Sequence, residues 1–187
     1  MNKHSVFKLT VVLLFLTTLY GCKKGDHDPF ISFRSRKARV SGEWKLTKGS
    51  FITTGGATSI TTSFDGTNKT ENSNTTPYTQ KRTFKKNGDY TCITTDNDNL
   101  KVEEGSWNFT GGVGGFKNKE QLVTYVYKET ITQGSTTSSF TYTGTMAPTE
   151  IYSIDELRNK KMVLLLNGSE KNGTTGASVV GSLTFEQ

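Results

Sequence analysis

The sequence has few of the residues that build catalytic centres and covalent cross-links. Its 187 residues include only two cysteines, two histidines and three prolines. Both histidines, His4 and His27, lie before residue 28, so the rest of the chain has no imidazole for a nucleophilic pair or a general base. A zinc site there would have to be built from Cys92 and carboxylates alone. The sequence therefore predicts no metal site and no cofactor.

Long apolar runs are also scarce, and the one near the N-terminus is short. A membrane-spanning helix needs about 20 apolar residues, whereas residues 9–20 number only twelve, four of them threonine or tyrosine. Lys3 and Lys8 supply the positive charge that precedes the apolar part of a secretory signal. Residues 1–21 are therefore interpreted as a signal peptide.

The end of this run carries a recognisable motif. Leu19-Tyr20-Gly21-Cys22 resembles the lipobox of bacterial lipoproteins. The resemblance implies that the signal is cut before Cys22 and that Cys22 carries the lipid that anchors the chain in a membrane. Lys23 follows the cysteine, and by analogy with the family this implies the outer membrane of the bacterial cell envelope, on its periplasmic or its surface face.

The excess of positive charge is modest. Removing residues 1–21 removes Lys3 and Lys8, which lowers the net charge from +6 to +4. Nucleic-acid binding is not expected, because basic residues and stacking aromatics do not cluster on one element. Residues 22–40 are predicted to be the lipidated cysteine and a flexible basic tether, which is either a solvated linker or a segment lying on anionic head groups.

The rest of the chain, residues 41–187, has the composition of a β domain. Threonine and aromatic residues are common, and glycine, asparagine and aspartate separate short alternating segments. These predict an up-and-down antiparallel barrel of about 8–10 strands, because closure removes the exposed edges of a long sheet. A β-sandwich is the alternative. The candidate strands are 43–54, 58–64, 78–86, 89–95, 100–109, 121–132, 137–146, 149–154, 160–168 and 177–186.

The segments between these strands are given by turn chemistry. Asn87-Gly88 is the strongest hairpin signal, since both residues tolerate positive φ. Residues 66–77 form the longest polar stretch and are predicted to be a mobile loop. Residues 111–115, GGVGG, are predicted to be a flexible connection, and residues 155–158 a helix-like turn.

A second resemblance lies at the start of the first strand. Gly42-x-Trp44 is similar to the lipocalin signature, in which the tryptophan plugs the closed end of the barrel. Together with Phe84-x-x-Asn87-Gly88 and Gly105-Ser106-Trp107, it resembles the lipocalin-like domain of small bacterial lipoproteins. Lipocalins usually set an arginine against this tryptophan, and Arg158 is the nearest candidate in this chain.

Signs of catalysis are weak. Cys92 is either a nucleophilic thiol or, by preference, a small buried hydrophobic residue. Glu103 and Glu104 are adjacent on a strand and so point to opposite faces. Asp96-x-Asp98 is similar to the start of a calcium loop but lacks its glycine, which favours a hairpin turn. The sequence therefore predicts a non-enzyme.

Two functions from different classes remain. The first is a monomeric, membrane-anchored barrel that binds a small apolar ligand, with the lining residues Leu46, Phe84, Tyr125, Tyr127 and Leu164. The second is a structural or protein-interaction module whose barrel is filled by its own side chains. Barrels of eight strands occur in both forms, and the same stripes of leucine and aromatic residues would serve either.

Overall fold

Eleven strands form in the part of the chain that the structure, a computed structural model, describes: residues 27–28, 32–110, 121–172 and 175–187. The elements are α1 (Arg36–Val40), β1 (Gly42–Gly55), β2 (Thr58–Phe64), β3 (Asn68–Glu71), β4 (Asn74–Phe84), β5 (Asp89–Asp96), β6 (Asn99–Thr110), β7 (Gln121–Gln133), β8 (Thr136–Thr141), a 3-10 turn (Gly144–Met146), β9 (Thr149–Leu157), β10 (Lys161–Asn172) and β11 (Thr175–Glu186). No helix within these ranges has the length and hydropathy of a membrane span.

The strands close into an antiparallel barrel, as predicted from the alternating segments. Ten strands follow one another around the ring, and β8 lies outside it as an extra strand on β7. At one end, residues 42–45 of β1 pair directly with residues 81–84 of β4. Further along, these two strands separate and the β2–β3 hairpin fills the gap between them. The predicted barrel is confirmed, and the sandwich is not.

The two ends of the barrel differ, and they are called here the closed end and the open end. The closed end is the one at which β1 begins and β4 finishes. Toward the open end, β7 leaves β9 after residue 125 and pairs instead with β8 through residues 128–133. The register of β10 with β9 runs only to Leu165, although β10 continues to Asn172. The ring of paired strands is therefore complete at the closed end. At the open end, no pairing joins β8 to β10 in the described part of the chain.

A continuous core fills the closed end. Trp44 is completely buried, and Phe84 packs on Tyr90 and on Trp107 with ring centroids 5.3 and 5.6 Å apart. Phe185 and Met162 are also completely buried and belong to the same cluster. Alternate residues of each strand supply this core because successive side chains of a strand point to opposite faces.

Part of the predicted tether is packed against the barrel. Ser35 caps α1 by accepting a hydrogen bond from the backbone N–H of Ala38. Arg36 lies 2.8 Å from Asp28, and both side chains are buried. The remaining Asp28 oxygen accepts a hydrogen bond from the Leu157 backbone N–H, 2.7 Å away. The expectation of a flexible tether is therefore wrong for Asp28 and for α1, because a buried ion pair joins them.

Two local predictions are also corrected. The polar stretch 66–77 is not a loop: it forms β3 and the start of β4, joined at Asn72 and Ser73, both with positive φ. Residues 155–157 continue β9 rather than forming a helical turn. The Asn87-Gly88 hairpin is confirmed, with Gly88 at φ +102°. The signal peptide, Cys22 and the GGVGG segment lie outside the described residues.

Candidate functional site

The five residues predicted to line a ligand pocket divide into two groups. Leu46, Phe84 and Leu164 point inward, but they are almost completely buried in the core cluster of the closed end. Tyr125 and Tyr127 are 40% and 50% exposed. The prediction is wrong for these two tyrosines because the alternate residues of β7, among them Leu122 and Val126, are the ones that belong to the core.

The Gly-x-Trp motif lies where β1 enters the barrel. Gly42 has a φ of +149°, a backbone conformation that other residues rarely adopt, so the position favours glycine. The Trp44 indole N–H donates a hydrogen bond to the Val40 carbonyl, 2.7 Å away, which ties the core to α1. Arg158 does not lie against Trp44. It is exposed and forms an ion pair with Glu156.

A different arginine stands beside the tryptophan. Arg82 lies directly opposite Trp44 in the β1–β4 register. Because directly opposed residues share a face of the sheet, this pair begins a row of inward-facing residues. The row runs across β1, β4, β5, β6, β7 and β8 as Trp44, Arg82, Cys92, Glu103, Glu129 and Phe140. It leads from the core into the open half of the barrel, which is the candidate site.

Arg82 is a buried cation at the boundary between the closed end and the open half. Its side chain is 4% exposed. Its Nη2 donates to the Tyr152 hydroxyl at 2.9 Å, its Nε donates to Gln80 Oε1 at 3.0 Å, and its Nη1 lies 3.4 Å from Glu150 Oε2. The guanidinium also stacks over the rings of Tyr152 and Phe185. Burial by itself lowers the pKa of Arg82, but the neighbouring hydroxyl and carboxyl groups raise it well above its usual value, so the charge is kept.

Several polar atoms around Arg82 lack hydrogen-bond partners. Within the described ranges, Arg82 Nη1, the Tyr90 hydroxyl and the Thr124 hydroxyl are buried and make no hydrogen bond. Tyr90 interacts electrostatically with Arg82, and Thr124 lies directly opposite Glu150. Buried polar atoms are usually satisfied, so unsatisfied ones call for an explanation. One of these atoms belongs to Arg82, one to its neighbour Tyr90 and one to the partner of Glu150, so hydrogen-bonding capacity is left inside the barrel.

Polar groups continue from Arg82 toward the open end. Gln80 donates to the Tyr78 hydroxyl at 3.1 Å and to the Thr94 hydroxyl at 3.4 Å. Burial raises the pKa of Tyr78 to about 12, so this phenol stays protonated and able to donate. Sequence analysis did not identify this line of residues. Its signal was present, because Tyr78, Gln80 and Arg82 alternate in step with the inward-facing Phe84.

A second charged group lies two strands away, on β6. Lys101 Nζ is 2.7 Å from Glu103 and 3.8 Å from Glu129, two residues that face each other across β6 and β7. Burial lowers the pKa of Lys101, but the hydrogen bond and charge of Glu103 and the charge of Glu129 raise it by more. The pKa of Lys101 therefore lies above its usual value. Glu104 forms an ion pair with Lys128 instead. A groove of about 450 Å³ lies here, lined by Tyr78, Thr94, Asp96, Asn99, Lys101, Ile131 and Gln133.

An apolar patch lies on the inner surface of β1, β2 and β4. Phe64 packs on Phe51 and on Tyr78, with ring centroids 5.8 and 4.9 Å apart. Ile60 is two residues from the buried Thr62 on β2 and so points the same way, yet it is 39% exposed. Phe140, which faces Glu129 across β7 and β8, is 47% exposed. The open half therefore combines an apolar wall with deep charges.

Cys92 lies in the inner row but shows no sign of activation. It is 1% exposed, and its Sγ is 3.7 Å from the Thr94 hydroxyl. Burial raises the pKa of the Cys92 thiol, although Arg82 opposes this effect. The geometry is that of a protonated, inaccessible thiol. Within the described residues, no group of three or more histidine, cysteine, aspartate or glutamate side chains could hold a metal ion.

Compared with protein-family models, with curated proteins and with solved structures, the chain matches none. Its function is therefore inferred from the sequence motifs and from the inner surface of the barrel.

Proposed function

We propose that this protein is a lipid-anchored, lipocalin-like barrel of the bacterial envelope that binds a small, largely apolar ligand in its open half. The proposal moves the binding site away from the residues first expected to form it. Leu46, Phe84 and Leu164 fill the closed end. The ligand is placed above them, between the apolar wall and the charged groups.

One observation carries this proposal. Ile60 points into the barrel, and Phe140 lies on the same sheet face as the inward Glu129, yet they remain 39% and 47% exposed. Apolar surface left in water costs about 25 cal/mol per Å², and a barrel filled by its own side chains would cover such residues. An apolar ligand that enters the open half would cover them instead.

The second candidate function has an observation of its own. The closed half is filled by side chains, with Trp44, Phe84 and Phe185 almost completely buried. A barrel of this kind can serve as a rigid structural or protein-interaction module. The two candidates differ in one respect that can be measured, namely whether the open half takes up a small apolar molecule.

A matched pair of substitutions tests the site. Ile60 faces inward on β2 and is paired with Thr53 of β1. Ile52, the residue before Thr53, therefore points to the opposite, outer face, where it is exposed. We expect wild type to bind the neutral fluorophore N-phenyl-1-naphthylamine. Ile60→Arg should weaken this binding at least about tenfold, because losing 1.4 kcal/mol of apolar contact gives that factor, while Ile52→Arg should leave it unchanged within about twofold.

The result of this titration separates the candidates. No binding to wild type, or equal effects of the two substitutions, would support the filled barrel instead. Fluorescence titration gives the affinity, and circular dichroism of each variant checks that the strands are intact.

The membrane anchor is the other part of the proposal. Cys22 precedes Asp28 by six residues, a span of at most about 20 Å when fully extended. Asp28 is held at the closed end through Leu157 and Arg36. A lipid on Cys22 would thus keep the closed end near the membrane and leave the open half facing the aqueous phase.

Replacing Cys22 tests the anchor. We expect the intact mass of wild type to show a chain that begins at Cys22 and carries acyl groups. Cys22→Ala should abolish lipidation and leave the protein either uncleaved, with its signal peptide retained, or soluble, because two or three acyl chains are what give stable anchoring. Cys92→Ala is the matched control and should stay membrane-bound. A native N-terminus elsewhere would contradict the proposal.

A further inference from the structure

We propose that the ligand carries a carboxylate, which binds Arg82 by taking the place of the Glu150 side chain. This inference rests on the proposed function and names the chemical class of the ligand: an apolar body that ends in a carboxylate. The apolar body would lie against the wall formed by Phe51, Ile60 and Phe64.

The first support is the unused hydrogen-bonding capacity around Arg82. Arg82 Nη1 and the hydroxyls of Tyr90 and Thr124 are all buried without hydrogen-bond partners in the described part of the chain. All three groups can donate, and a carboxylate accepts through two oxygens. Arginine with a carboxylate is also one of the strongest polar pairs in proteins, especially when both oxygens are engaged.

The second support is the loose position of Glu150. Its Oε2 is 3.4 Å from Arg82 Nη1, and this contact does not meet hydrogen-bond geometry. The Glu150 side chain is 47% exposed, whereas that of Arg82 is 4% exposed. Solvent therefore reaches the carboxylate while the guanidinium stays covered. Glu150 interacts with the Tyr152 hydroxyl too, so it stands among the groups that a ligand carboxylate would meet.

Exchange of one carboxylate for the other keeps the charge in balance. Leaving a buried arginine without a counter-charge is strongly unfavourable, and in this exchange Arg82 keeps one at every stage. Glu150 lies near the start of β9 and can turn toward solvent, where its charge is hydrated.

Lys101 is a weaker candidate for the same role. Its ammonium is already 2.7 Å from Glu103 and 3.8 Å from Glu129, so two carboxylates surround one cation. A ligand carboxylate arriving there would face like charges. Among the described residues, the carboxylate recorded beside Arg82 is that of the half-exposed, partly engaged Glu150.

The test compares 11-(dansylamino)undecanoic acid with its methyl ester, two fluorescent probes that differ only in the carboxylate. We expect wild type to bind the acid at least about ten times more tightly than the ester. Glu150→Gln removes the competing carboxylate, so a preparation that circular dichroism shows to keep its strands should bind the acid about ten times more tightly and the ester within about twofold of wild type. Glu104→Gln makes the same charge change at the residue that pairs with Lys128 and should alter neither probe.

Other results of these titrations would contradict the inference. Equal binding of acid and ester by wild type would overturn the carboxylate inference while the apolar site stands. So would a Glu150→Gln variant that binds both probes more tightly by the same factor, or one that binds the acid no better. If neither probe nor the neutral naphthylamine binds, the proposed function fails and the carboxylate inference fails with it.

Discussion

Replacing Trp44 by alanine is expected to lower the free energy of unfolding by about 3–5 kcal/mol, the usual cost of deleting a large aromatic side chain from a core. Trp44 is completely buried at the closed end, and its indole N–H is bonded to the Val40 carbonyl at 2.7 Å. The substitution would therefore leave a large cavity and remove the bond that ties α1 to the barrel. Urea denaturation followed by circular dichroism measures the change.

Two further substitutions make this measurement specific. Trp44→Phe keeps most of the apolar contact but loses the hydrogen bond, which is worth about 1 kcal/mol, so its loss should be clearly smaller than that of alanine. Phe33→Ala removes an aromatic ring that is 97% exposed and should change stability by less than about 0.5 kcal/mol. A Trp44→Ala loss below about 1 kcal/mol would contradict the place of Trp44 in the core.

Asp28→Asn is expected to cost nearly as much, about 3–5 kcal/mol, because it removes one member of a buried ion pair. One Asp28 oxygen is 2.8 Å from Arg36 Nη1, and the other accepts from the Leu157 backbone N–H at 2.7 Å. Both side chains of the ion pair are less than 5% exposed. Chemical denaturation again gives the change.

The control for Asp28 is an ion pair at the surface. Glu43 lies 3.3 Å from Lys81, with both side chains well exposed. Glu43→Gln should cost no more than about 1 kcal/mol, the upper end for exposed pairs. In a second step, Asp28→Leu is compared with the double variant Asp28→Leu, Arg36→Met. The double variant should have the higher free energy of unfolding, because it also removes the buried positive charge that faced Asp28. If Asp28→Asn has no effect, the segment before β1 is a simple tether.

The β architecture could be read from the sequence because its signals are local. Alternating segments placed most of the strands, and Asn87-Gly88 placed a hairpin through the backbone preferences of two residues. The polar strand β3 could not be found in this way. Asn68, Lys69 and Thr70 have no apolar face, and they are ordered by pairing with β2 and β4 rather than by burial.

The errors at the site have non-local causes. In β7, both sets of alternate residues contain apolar side chains, so the sequence does not show which set faces inward. The choice is made by distant partners, such as Trp107, which lies opposite Thr124, and Tyr152, which lies opposite Leu122. The packed end of the tether has a similar cause, since Asp28 bonds to Leu157, 129 residues away in the chain.

Arg82 is the most informative case of the kind. Arg82 is two residues before Phe84 on the same strand, so its side chain lies on the same inward face. A charged residue is rarely buried without partners, however. Those partners, Tyr152 and Glu150, come from β9, far along the sequence. Only the closed ring brings them together, so the polar centre of the site could not be predicted from the sequence.

The central claim, that the open half of the barrel holds an apolar ligand, is tested most directly on protein purified from its native cells. Wild type and Ile60→Arg are washed, unfolded and extracted with organic solvent in parallel, and the extracts are compared by mass spectrometry. We predict a compound with an apolar body, present at close to one per protein with wild type and strongly depleted with Ile60→Arg. Identical extracts from the two proteins, with no compound specific to wild type, would contradict the claim.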